Sequence, residues 1–503
     1  MAGSAAAEDL PPPLAPAAPV PPGRIDMAIG KIDEIVEDVM ARSGVPGLAV
    51  VVVRDGETAF AKGYGVRKAG EDQPVDTDTV FQLASLSKPI SATVVARAVG
   101  EGVVDWTTPV VDHLPWFALS DPYVTSHVTV GDLFAHRSGL PEHAGDDLED
   151  LGYDRRQILE RLRVLPLASF RDSYAYTNIG LTAAAEAVAV AAGTDWAMLG
   201  EDTLFKPLGM ASASYRVADY LAHDNRAAGH VDVDGSWQAK YVRKPDAQAP
   251  AGGVSASVSD FGKWLAMVMD RGDVDGEEVI ASDALLPATQ AQMISGAIPD
   301  PAARPGLYGF GFGTGVDASG RVVLSHSGAF AMGFATNFQL LPLDKVAIGV
   351  LSNASPTGVP ESVAHSFIDL VEFGEIRRDW YAAYRPRMLP LSAPAGSLVG
   401  KTPPADPAPA PAVDALVGTY QNAYFGPVEI RETDGGLEIA LGPKPILYKL
   451  THWDGPMFAY RPITENEPEG SVAALTFSLD GDEPATALTI DYLDENGFGT
   501  FDR

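Results

Sequence analysis

The stretch VFQLASLSK (Val80–Lys88) joins an apolar, strand-like run to a serine and a lysine three residues apart. Apolar residues recur at helical spacing after it, so a helix is predicted from Ser85 to Gly100. Residues i and i+3 share one face of a helix, where a lysine amine can take the proton of a serine. The pair is the minimum unit for making an acyl-enzyme. Because Ser-x-x-Lys is common by chance, this interpretation depends on the rest of the chain.

Length and charge limit the class of protein. The chain has 503 residues and a formal net charge of −31. That length predicts two domains, and the acidic balance argues against nucleic acid as a partner, because phosphate binding needs a basic face. No apolar run reaches the roughly 18 residues of a membrane span, so a soluble protein without a membrane span is predicted. The absence of cysteine excludes disulfides, thiol nucleophiles and cysteine-ligated zinc.

No cofactor and no metal site is predicted. The sequence lacks His-Glu-x-x-His, and its nine histidines are scattered. The glycine-rich run at 309–313 lacks the spacing of a dinucleotide-binding loop, which indicates close packing of strands instead. The chain also lacks a Gly-x-Ser-x-Gly elbow, which argues against an α/β-hydrolase.

Strand-like segments lie on both sides of a mostly helical region at 130–210. They cover Leu48–Val53, Thr58–Tyr64, Val322–Ser325, Gly333–Leu341 and Lys345–Leu351. This order predicts an α/β (α+β) fold, with one antiparallel sheet built from both ends of a domain at 24–389, flanking helices and an inserted helical lobe. A final amphipathic helix is predicted over Val363–Glu372.

The two ends of the chain differ in character from this domain. The proline- and alanine-rich stretch 390–411 reads as a linker, and short strands separated by Asp-Gly and Asn-Gly turns predict a separate all-β barrel or sandwich, most like a lipocalin-type barrel, at 412–503. Residues 1–23, rich in proline and alanine, are predicted to be disordered. Ala5–Ala7 before the proline-rich run indicates a mature exported chain, periplasmic or secreted, whose signal peptide was removed; a cytoplasmic tail is the alternative.

Two further motifs carry polar chemistry. Tyr176 and Asn178 stand two residues apart just before a helix that is predicted to begin at Leu181. The stretch His326–Ala329 places a histidine, a serine and a glycine on a predicted strand. A buried tyrosine or a lone histidine is more often structural than catalytic, so neither motif identifies a site alone.

In the order Ser-x-x-Lys, Tyr-x-Asn, His-x-Gly, the three motifs resemble the active site of serine hydrolases of the penicillin-binding-protein and class C β-lactamase family. The resemblance covers about Ile25 to Phe373, and Asp132–Pro141 and Phe205–Met210 also fit it. The C-terminal strands resemble the small β domain appended to several of these hydrolases.

The resemblance implies a role for each residue of the first two motifs. Ser85 would attack a carbonyl carbon, and Lys88, kept neutral by burial, would take its proton. Tyr176 would pass a proton to the leaving group and later activate water. Asn178 would hold Lys88 and the amide of the substrate.

The third motif would complete the site. The backbone N–H groups of Ser85 and Ala329 would form the oxyanion hole. His326 would polarise Tyr176 or bind a substrate carboxylate, and its titration near pH 6 to 7 would make the activity pH-sensitive. Ser327 and Gly328 would support the substrate, with the glycine allowing it to lie against the backbone.

The histidine also bears on the substrate. Dedicated class C β-lactamases carry Lys-Thr-Gly at this position, whereas His-Ser-Gly resembles D,D-peptidases, D-aminopeptidases and family VIII carboxylesterases. A hydrolase of small peptides or amides is therefore predicted, with a small molecule or short peptide as its partner. A carboxylesterase, a weak β-lactamase or penicillin-binding protein, and a catalytically idle binding module stay open as alternatives. The sequence leaves the oligomeric state open.

Overall fold

A computed structural model describes residues 14, 16, 18–296, 298, 300–481 and 483–503. The predicted disorder of residues 1–23 therefore lies largely outside the described residues. Within them, no helix has both the length and the apolar character needed to cross a membrane. The α-helices run in chain order as follows: α1 (Arg24–Ile29), α2 (Ile32–Ser43), α3 (Ser87–Gly100), α4 (Pro122–His127), α5 (Val130–Phe134), α6 (Asp146–Asp150), α7 (Arg155–Arg161), α8 (Asn178–Ala191), α9 (Trp196–Gly200), α10 (Val217–Ala222), α11 (Ala249–Gly252), α12 (Val258–Met269), α13 (Ser282–Thr289), α14 (Val359–Phe373), α15 (Trp380–Met388) and α16 (Val413–Leu416).

The main sheet is antiparallel and draws its strands from both ends of this part of the chain. The strands up to residue 352 are β1 (Gly47–Arg54), β2 (Glu57–Gly65), β3 (Val80–Gln82), β4 (Val231–Val233), β5 (Ser236–Gln238), β6 (Ser255–Ser257), β7 (Asp273–Val274), β8 (Glu277–Glu278), β9 (Met293–Ile294), β10 (Leu307–Tyr308), β11 (Gly313–Val316), β12 (Val322–Phe330), β13 (Phe334–Leu341) and β14 (Val346–Ser352). Eight of them form the sheet in the order β2-β1-β14-β13-β12-β11-β10-β9. The predicted α/β fold with one antiparallel sheet is confirmed.

Helices cover both faces of this sheet, which explains why β1 is a continuous apolar run. Val50 and Val52 pack with α2 and α14 on one face. Val51 and Val53 pack on the opposite face in the core that contains α12. Because successive side chains of a strand point to opposite faces, a strand buried on both sides must be apolar at every position.

The helical lobe lies between β3 and β6, which pair with each other beside the main sheet. Helices α4 to α11 come from this part of the chain. Strand β3 leads directly into the turn that carries Ser85. The nucleophile motif therefore lies where the lobe meets the sheet.

The C-terminal strands form two antiparallel sheets. They are β15 (Gly418–Tyr420), β16 (Val428–Thr433), β17 (Gly436–Leu441), β18 (Ile446–Lys449), β19 (Thr451–Asp454), β20 (Met457–Tyr460), β21 (Ala473–Ser478), β22 (Ala487–Ile490) and β23 (Thr500–Asp502). The first four form one sheet and the last five form another. An isolated bridge between Gln421 and Asp502 connects them on one side.

The predicted lipocalin-like closed barrel is not present in the described residues. Closure would require β18 to pair with β19, but only Leu450 separates these strands along the chain. Two antiparallel neighbours need a connection of about two residues to fold back on each other. The chain therefore passes from one sheet into the other at Leu450 without a ladder between them.

The C-terminal sheets pack tightly against the helical lobe. Most of their buried side chains belong to the same continuous apolar core as those of the lobe, and a small separate cluster includes Ala459 and Ala474. The Tyr153 hydroxyl donates to the Phe425 carbonyl at 2.7 Å. Gly442 passes so close to the Leu151 carbonyl that a Cβ there would overlap it. These contacts connect the C-terminal strands to the segment that follows α6.

Candidate active site

Ser85 lies on a strained turn. A short 3₁₀ turn, Ala84–Leu86, runs directly into α3, and Ala84 has a φ of +49°. Non-glycine residues rarely adopt this left-handed conformation, and such strain clusters at functional sites. Ser87 braces the turn, because its hydroxyl donates to the Ala84 carbonyl at 2.7 Å and accepts from the Val254 N–H at 2.9 Å.

Lys88 is completely buried one helical turn after Ser85. Its Nζ atom lies 3.0 Å from Ser85 Oγ, 2.6 Å from Asn178 Oδ1 and 3.0 Å from the Ala251 carbonyl oxygen. Burial lowers the pKa of Lys88 to about 7, although the nearby Asp146 carboxylate opposes this shift. A neutral amine has two N–H groups, which match the two carbonyl oxygens, and one lone pair, which can accept the Ser85 proton.

Asn178 connects Lys88 to a carboxylate that the sequence motifs did not identify. Its Nδ2 atom donates to Asp146 Oδ2 at 2.7 Å. Asp146 is buried at the start of α6, and its Oδ2 atom is also 3.0 Å from His143 Nδ1. This hydrogen bond raises the pKa of His143. The 140–151 segment has no motif of its own, so only the tertiary structure brings Asp146 to Lys88.

The Tyr176 side chain covers the amine of Lys88. The Nζ atom is 4.5 Å from the centre of the Tyr176 ring. Burial raises the pKa of the Tyr176 phenol, and contact with the Ser85 side chain offsets only part of that shift. Tyr176 is therefore a neutral phenol at ordinary pH, able to donate its proton but unsuited to act as a phenolate.

His326 is held neutral, so its predicted titration at pH 6 to 7 is wrong. Its Nε2 atom lies 2.8 Å from the Tyr308 hydroxyl, and its Nδ1 atom is 2.7 Å from the Ser327 carbonyl oxygen. Since a carbonyl only accepts, Nδ1 carries the proton and Nε2 accepts from Tyr308. Burial, together with the charge of Lys88, lowers the pKa of His326 to about 3. Among the described residues no hydrogen bond joins His326 to Tyr176, whose ring centre is 6.4 Å away.

The Ser327 side chain points away from the site, contrary to its predicted contact with the substrate. Side chains alternate along β12, so Ser327 lies on the opposite face from His326. There its hydroxyl accepts from Asn337 Nδ2 at 3.0 Å, on the neighbouring strand β13. Its contribution to the site is the carbonyl that orients His326.

Gly328 brings β12 against the nucleophile turn. A Cβ atom at Gly328 would lie 2.5 Å from the Leu83 carbonyl oxygen and 3.0 Å from the Ser85 nitrogen. The pairing of β12 with β11 ends at Ser325, so beyond it this edge of β12 faces the turn. Ala329 follows on the same edge and is partly exposed. The glycine was expected to make room for substrate, but in the structure it makes room for the Ser85 turn.

A group of aromatic rings lines the site, and the sequence motifs identified only part of it. Tyr174 and Tyr308 have ring centres 5.7 Å apart, and His136 lies 5.1 Å from Tyr308 and 4.6 Å from Tyr176. Burial raises the pKa of Tyr308 and lowers that of His136 far below its usual value. The wall next to Ser85 and Lys88 is thus uncharged.

A serine, a buried lysine and a phenol come together where the helical lobe meets the antiparallel sheet, which is the arrangement that the sequence motifs resemble. The family model described as Beta-lactamase matches residues 32–373, more than half of the chain. The chain belongs to this family of serine hydrolases, which includes proteins named penicillin-binding proteins. A second model, described as a domain of unknown function (DUF3471), matches residues 402–499.

Curated relatives share about a quarter of their residues with this chain. The unguisins hydrolase ungD' of Aspergillus campestris is 26% identical over 415 residues, which are 78% of this chain and 75% of that protein. Penicillin-binding protein 4 of Amycolatopsis lactamdurans is 28% identical over 405 residues, 76% of this chain and 95% of that protein. The D-alanyl-D-alanine-carboxypeptidase/endopeptidase AmpH of Escherichia coli K12 is 22% identical over 345 residues, which are 68% of this chain and 88% of that protein.

Solved structures support the fold. The octameric penicillin-binding protein homologue from Pyrococcus abyssi matches with a TM-score of 0.60 at 19% identity, over 92% of this chain and 98% of that one. A class C β-lactamase from Rhodobacter sphaeroides matches with a TM-score of 0.54 at 22% identity, over 68% and 98%. The structure of SurE with D-Leu matches with a TM-score of 0.52 at 19% identity, over 95% and 100%.

Proposed function

We propose that the protein is a serine hydrolase that cleaves short peptides or small amides through an acyl-enzyme. The main support is one distance: Lys88 Nζ lies 3.0 Å from Ser85 Oγ. At this distance, and with a pKa of about 7, the lysine can act as a base at neutral pH. A hydroxyl and a base within hydrogen-bond reach are what nucleophilic catalysis requires.

Acylation would begin when Ser85 Oγ bonds to the carbonyl carbon of the substrate and its proton moves to Lys88. The carbonyl oxygen becomes an oxyanion, which the N–H groups of Ser85 and Ala329 would stabilise. Each donor of this kind contributes about 3 kcal/mol to the transition state. Asn178 would keep the ammonium of Lys88 in place through Oδ1, 2.6 Å away.

The leaving group would depart with the proton of Tyr176. When the C–N bond breaks, the amine nitrogen takes the phenol proton, and Lys88 returns its proton to the tyrosine. Water then attacks the carbonyl carbon of the Ser85 ester and gives up a proton to Lys88. Lys88 passes this proton to Ser85 Oγ as the acyl–oxygen bond breaks, which releases the acid and restores the serine and the neutral lysine. His326, neutral and with both ring nitrogens already hydrogen-bonded, would present an uncharged ring to the substrate rather than a positive charge.

The names of the relatives favour peptides that contain D residues as substrates. AmpH is named as a D-alanyl-D-alanine-carboxypeptidase/endopeptidase, and the structure of SurE was solved with D-Leu. Because His326 is neutral, the third motif offers no positive charge to a substrate carboxylate, and an amide or peptide would fit it at least as well. We therefore place D-residue peptides ahead of esters and β-lactams.

Intact mass after incubation with a fluorophosphonate tests the reaction class. We expect one probe adduct on the wild type and none on Ser85→Ala, which keeps the fold but lacks the nucleophile. An unmodified wild type would contradict the acyl-enzyme and favour a catalytically idle binding module.

Parallel assays then separate the substrate classes. The panel contains D- and L-aminoacyl amides, short peptides with D residues, p-nitrophenyl esters and nitrocefin. We expect the highest kcat/KM on a D-residue amide or peptide. Faster turnover of the esters than of any amide would favour a carboxylesterase, and rapid nitrocefin hydrolysis would favour a β-lactamase.

A further inference from the structure

One loop of the C-terminal sheets reaches the catalytic part of the chain. It joins β20 to β21 and spans residues 461–472. The backbone and side-chain N–H groups of Asn466 donate to Oδ2 of Asp150, the last residue of α6, at 3.0 and 2.9 Å. Lys240 pairs with Glu469 at 2.6 Å. Asn466 thus ties the loop to the helical lobe, whereas the exposed Lys240–Glu469 pair contributes little.

The residue before Asn466, Glu465, binds the turn that joins β12 to β13. Its Oε1 atom accepts from the Ala331 N–H at 2.6 Å, and its Oε2 atom accepts from the Met332 N–H at 3.3 Å. Both residues follow Phe330, the last residue of β12. A single carboxylate therefore holds two consecutive backbone donors, as an anion does in a backbone nest.

Two backbone N–H groups and the guanidinium of Arg243 surround the Glu465 carboxylate. Arg243, with a side chain only 7% exposed, lies 3.6 Å from Glu465 Oε2 and also pairs with Glu149. Its guanidinium lies over the Phe330 ring, 5.3 Å from the centre. Burial raises the pKa of Glu465 to about 7, and Arg243 and the two backbone N–H groups oppose this shift by favouring the charged carboxylate.

The turn controls the strand edge next to Ser85. Beyond Ser325, β12 is bonded to a strand on one side only, because the β11 ladder has ended. The position of Ala329 therefore depends on β13 and on the turn two residues later. Any movement of the turn would move the Ala329 N–H relative to Ser85, and a displaced oxyanion donor loses much of its effect.

We propose that Glu465 is a positioning residue, through which the C-terminal sheets hold the β12–β13 turn and thereby set the Ala329 N–H of the oxyanion hole. This inference rests on the proposed function, because it assigns a task to the same site. It gives the C-terminal strands a part in the reaction without any contact between Glu465 and the substrate.

The test compares Glu465→Gln with Glu469→Gln in the full-length protein. Glutamine offers one acceptor where the carboxylate offers two, whereas Glu469 makes only its surface contacts with Lys240 and Tyr241. Removing an oxyanion donor costs about 10²- to 10³-fold in kcat, so for a displaced donor we expect a loss of about tenfold. KM should change less than about twofold, since oxyanion contacts form mainly in the transition state.

A boronic acid inhibitor mimics the tetrahedral intermediate. Its inhibition constant should not change if Glu465 only stabilises the fold. Its inhibition constant should rise about tenfold in Glu465→Gln, in parallel with the loss of kcat, and stay within about twofold in Glu469→Gln. Rates are expressed per active site titrated with the fluorophosphonate, at a temperature where thermal unfolding confirms that each variant is folded. If Glu465→Gln does not fold, Glu465→Asp is judged by the same criteria.

Three results would overturn the inference. The first is a folded Glu465 variant with wild-type kcat and inhibitor affinity. The second is an equal loss in Glu469→Gln, and the third is a rise of KM with unchanged kcat, which would indicate substrate binding instead. The proposed function fails separately, when the wild type itself does not react with the fluorophosphonate.

Discussion

Asn178 donates from Nδ2 to Asp146 Oδ2 at 2.7 Å, and this bond fixes which end of the Asn178 amide faces Lys88. With the nitrogen engaged, only Oδ1 can point toward the amine, which lies 2.6 Å away. The same carboxylate favours the charged form of Lys88, against the effect of burial. Asp146 therefore affects both the orientation of the Asn178 amide and the basicity of Lys88.

Asp146→Asn should shift the pH dependence of the reaction to lower pH. Loss of the negative charge removes an attraction that stabilises the ammonium, so the pKa of Lys88 should fall below about 7. We expect the ascending limb of kcat/KM to move down by about 0.5 to 1 pH unit. The measurement is the pH profile of ester hydrolysis.

Asp147→Asn is the matched control for this change. Burial and neighbouring carboxylates raise the pKa of Asp147 well above its usual value, and of the two aspartates only Asp146 acts on the pKa of Lys88. In Asp147→Asn the ascending limb of kcat/KM should stay at the same pH as in the wild type. An upward shift in Asp146→Asn, or equal shifts in both variants, would contradict the role given to Asp146.

The wild-type reaction should lose activity in acid through Lys88 and not through His326. Lys88 is a base only when it is neutral, so kcat/KM should fall about tenfold per pH unit below about 7 and level off above it. His326, with a pKa of about 3, contributes no ionisation in this range. The acid limb of the kcat/KM profile should therefore persist in His326→Gln, even if the rate is lower. If the limb disappears in this variant, the ionisation near pH 7 belongs to His326 and not to Lys88.

Tyr176→Phe should impair amides far more than activated esters. An amine leaving group needs a proton, and general acid catalysis contributes about 10²- to 10⁴-fold, whereas p-nitrophenolate leaves unassisted. We expect kcat on an aminoacyl amide to fall by about that factor and kcat on a p-nitrophenyl ester by less than about tenfold. Equal losses on both substrates would mean that Tyr176 does not protonate the leaving group.

Gly328→Ala should cost stability as well as activity. The added methyl group would meet the Leu83 carbonyl at 2.5 Å and the Ser85 nitrogen at 3.0 Å, so β12 must move away from the nucleophile turn. We expect a loss of about 1–3 kcal/mol in the free energy of unfolding, measured with denaturant. Gly315→Ala, on β11, adds its methyl group to open space and should stay within about 0.5 kcal/mol of the wild type.

The parts of the site that depend on local sequence were predictable. Ser85 and Lys88 lie one helical turn apart, so helical spacing alone brings them together. Tyr308 and Asp146 could not be predicted, because each reaches the site from a short element with no motif: Tyr308 from the two-residue strand β10, and Asp146 from α6.

The sequence also could not predict the surroundings of each side chain in the site. The charge state of His326 is set by burial and by Tyr308, which only the tertiary structure brings to it. The side of β12 on which Ser327 lies depends on the register of the sheet. In the same way, turn signals located the C-terminal strands, but the missing ladder between β18 and β19 follows from how the strands pair.

The pairing of β1 with β14 has a consequence for synthesis on the ribosome. The N-terminal hairpin cannot take its place in the sheet until residues 346–352 have emerged, and β12, which carries the strand edge next to Ser85, must precede them. A nascent chain that already contains the serine and its lysine therefore has no assembled reaction centre.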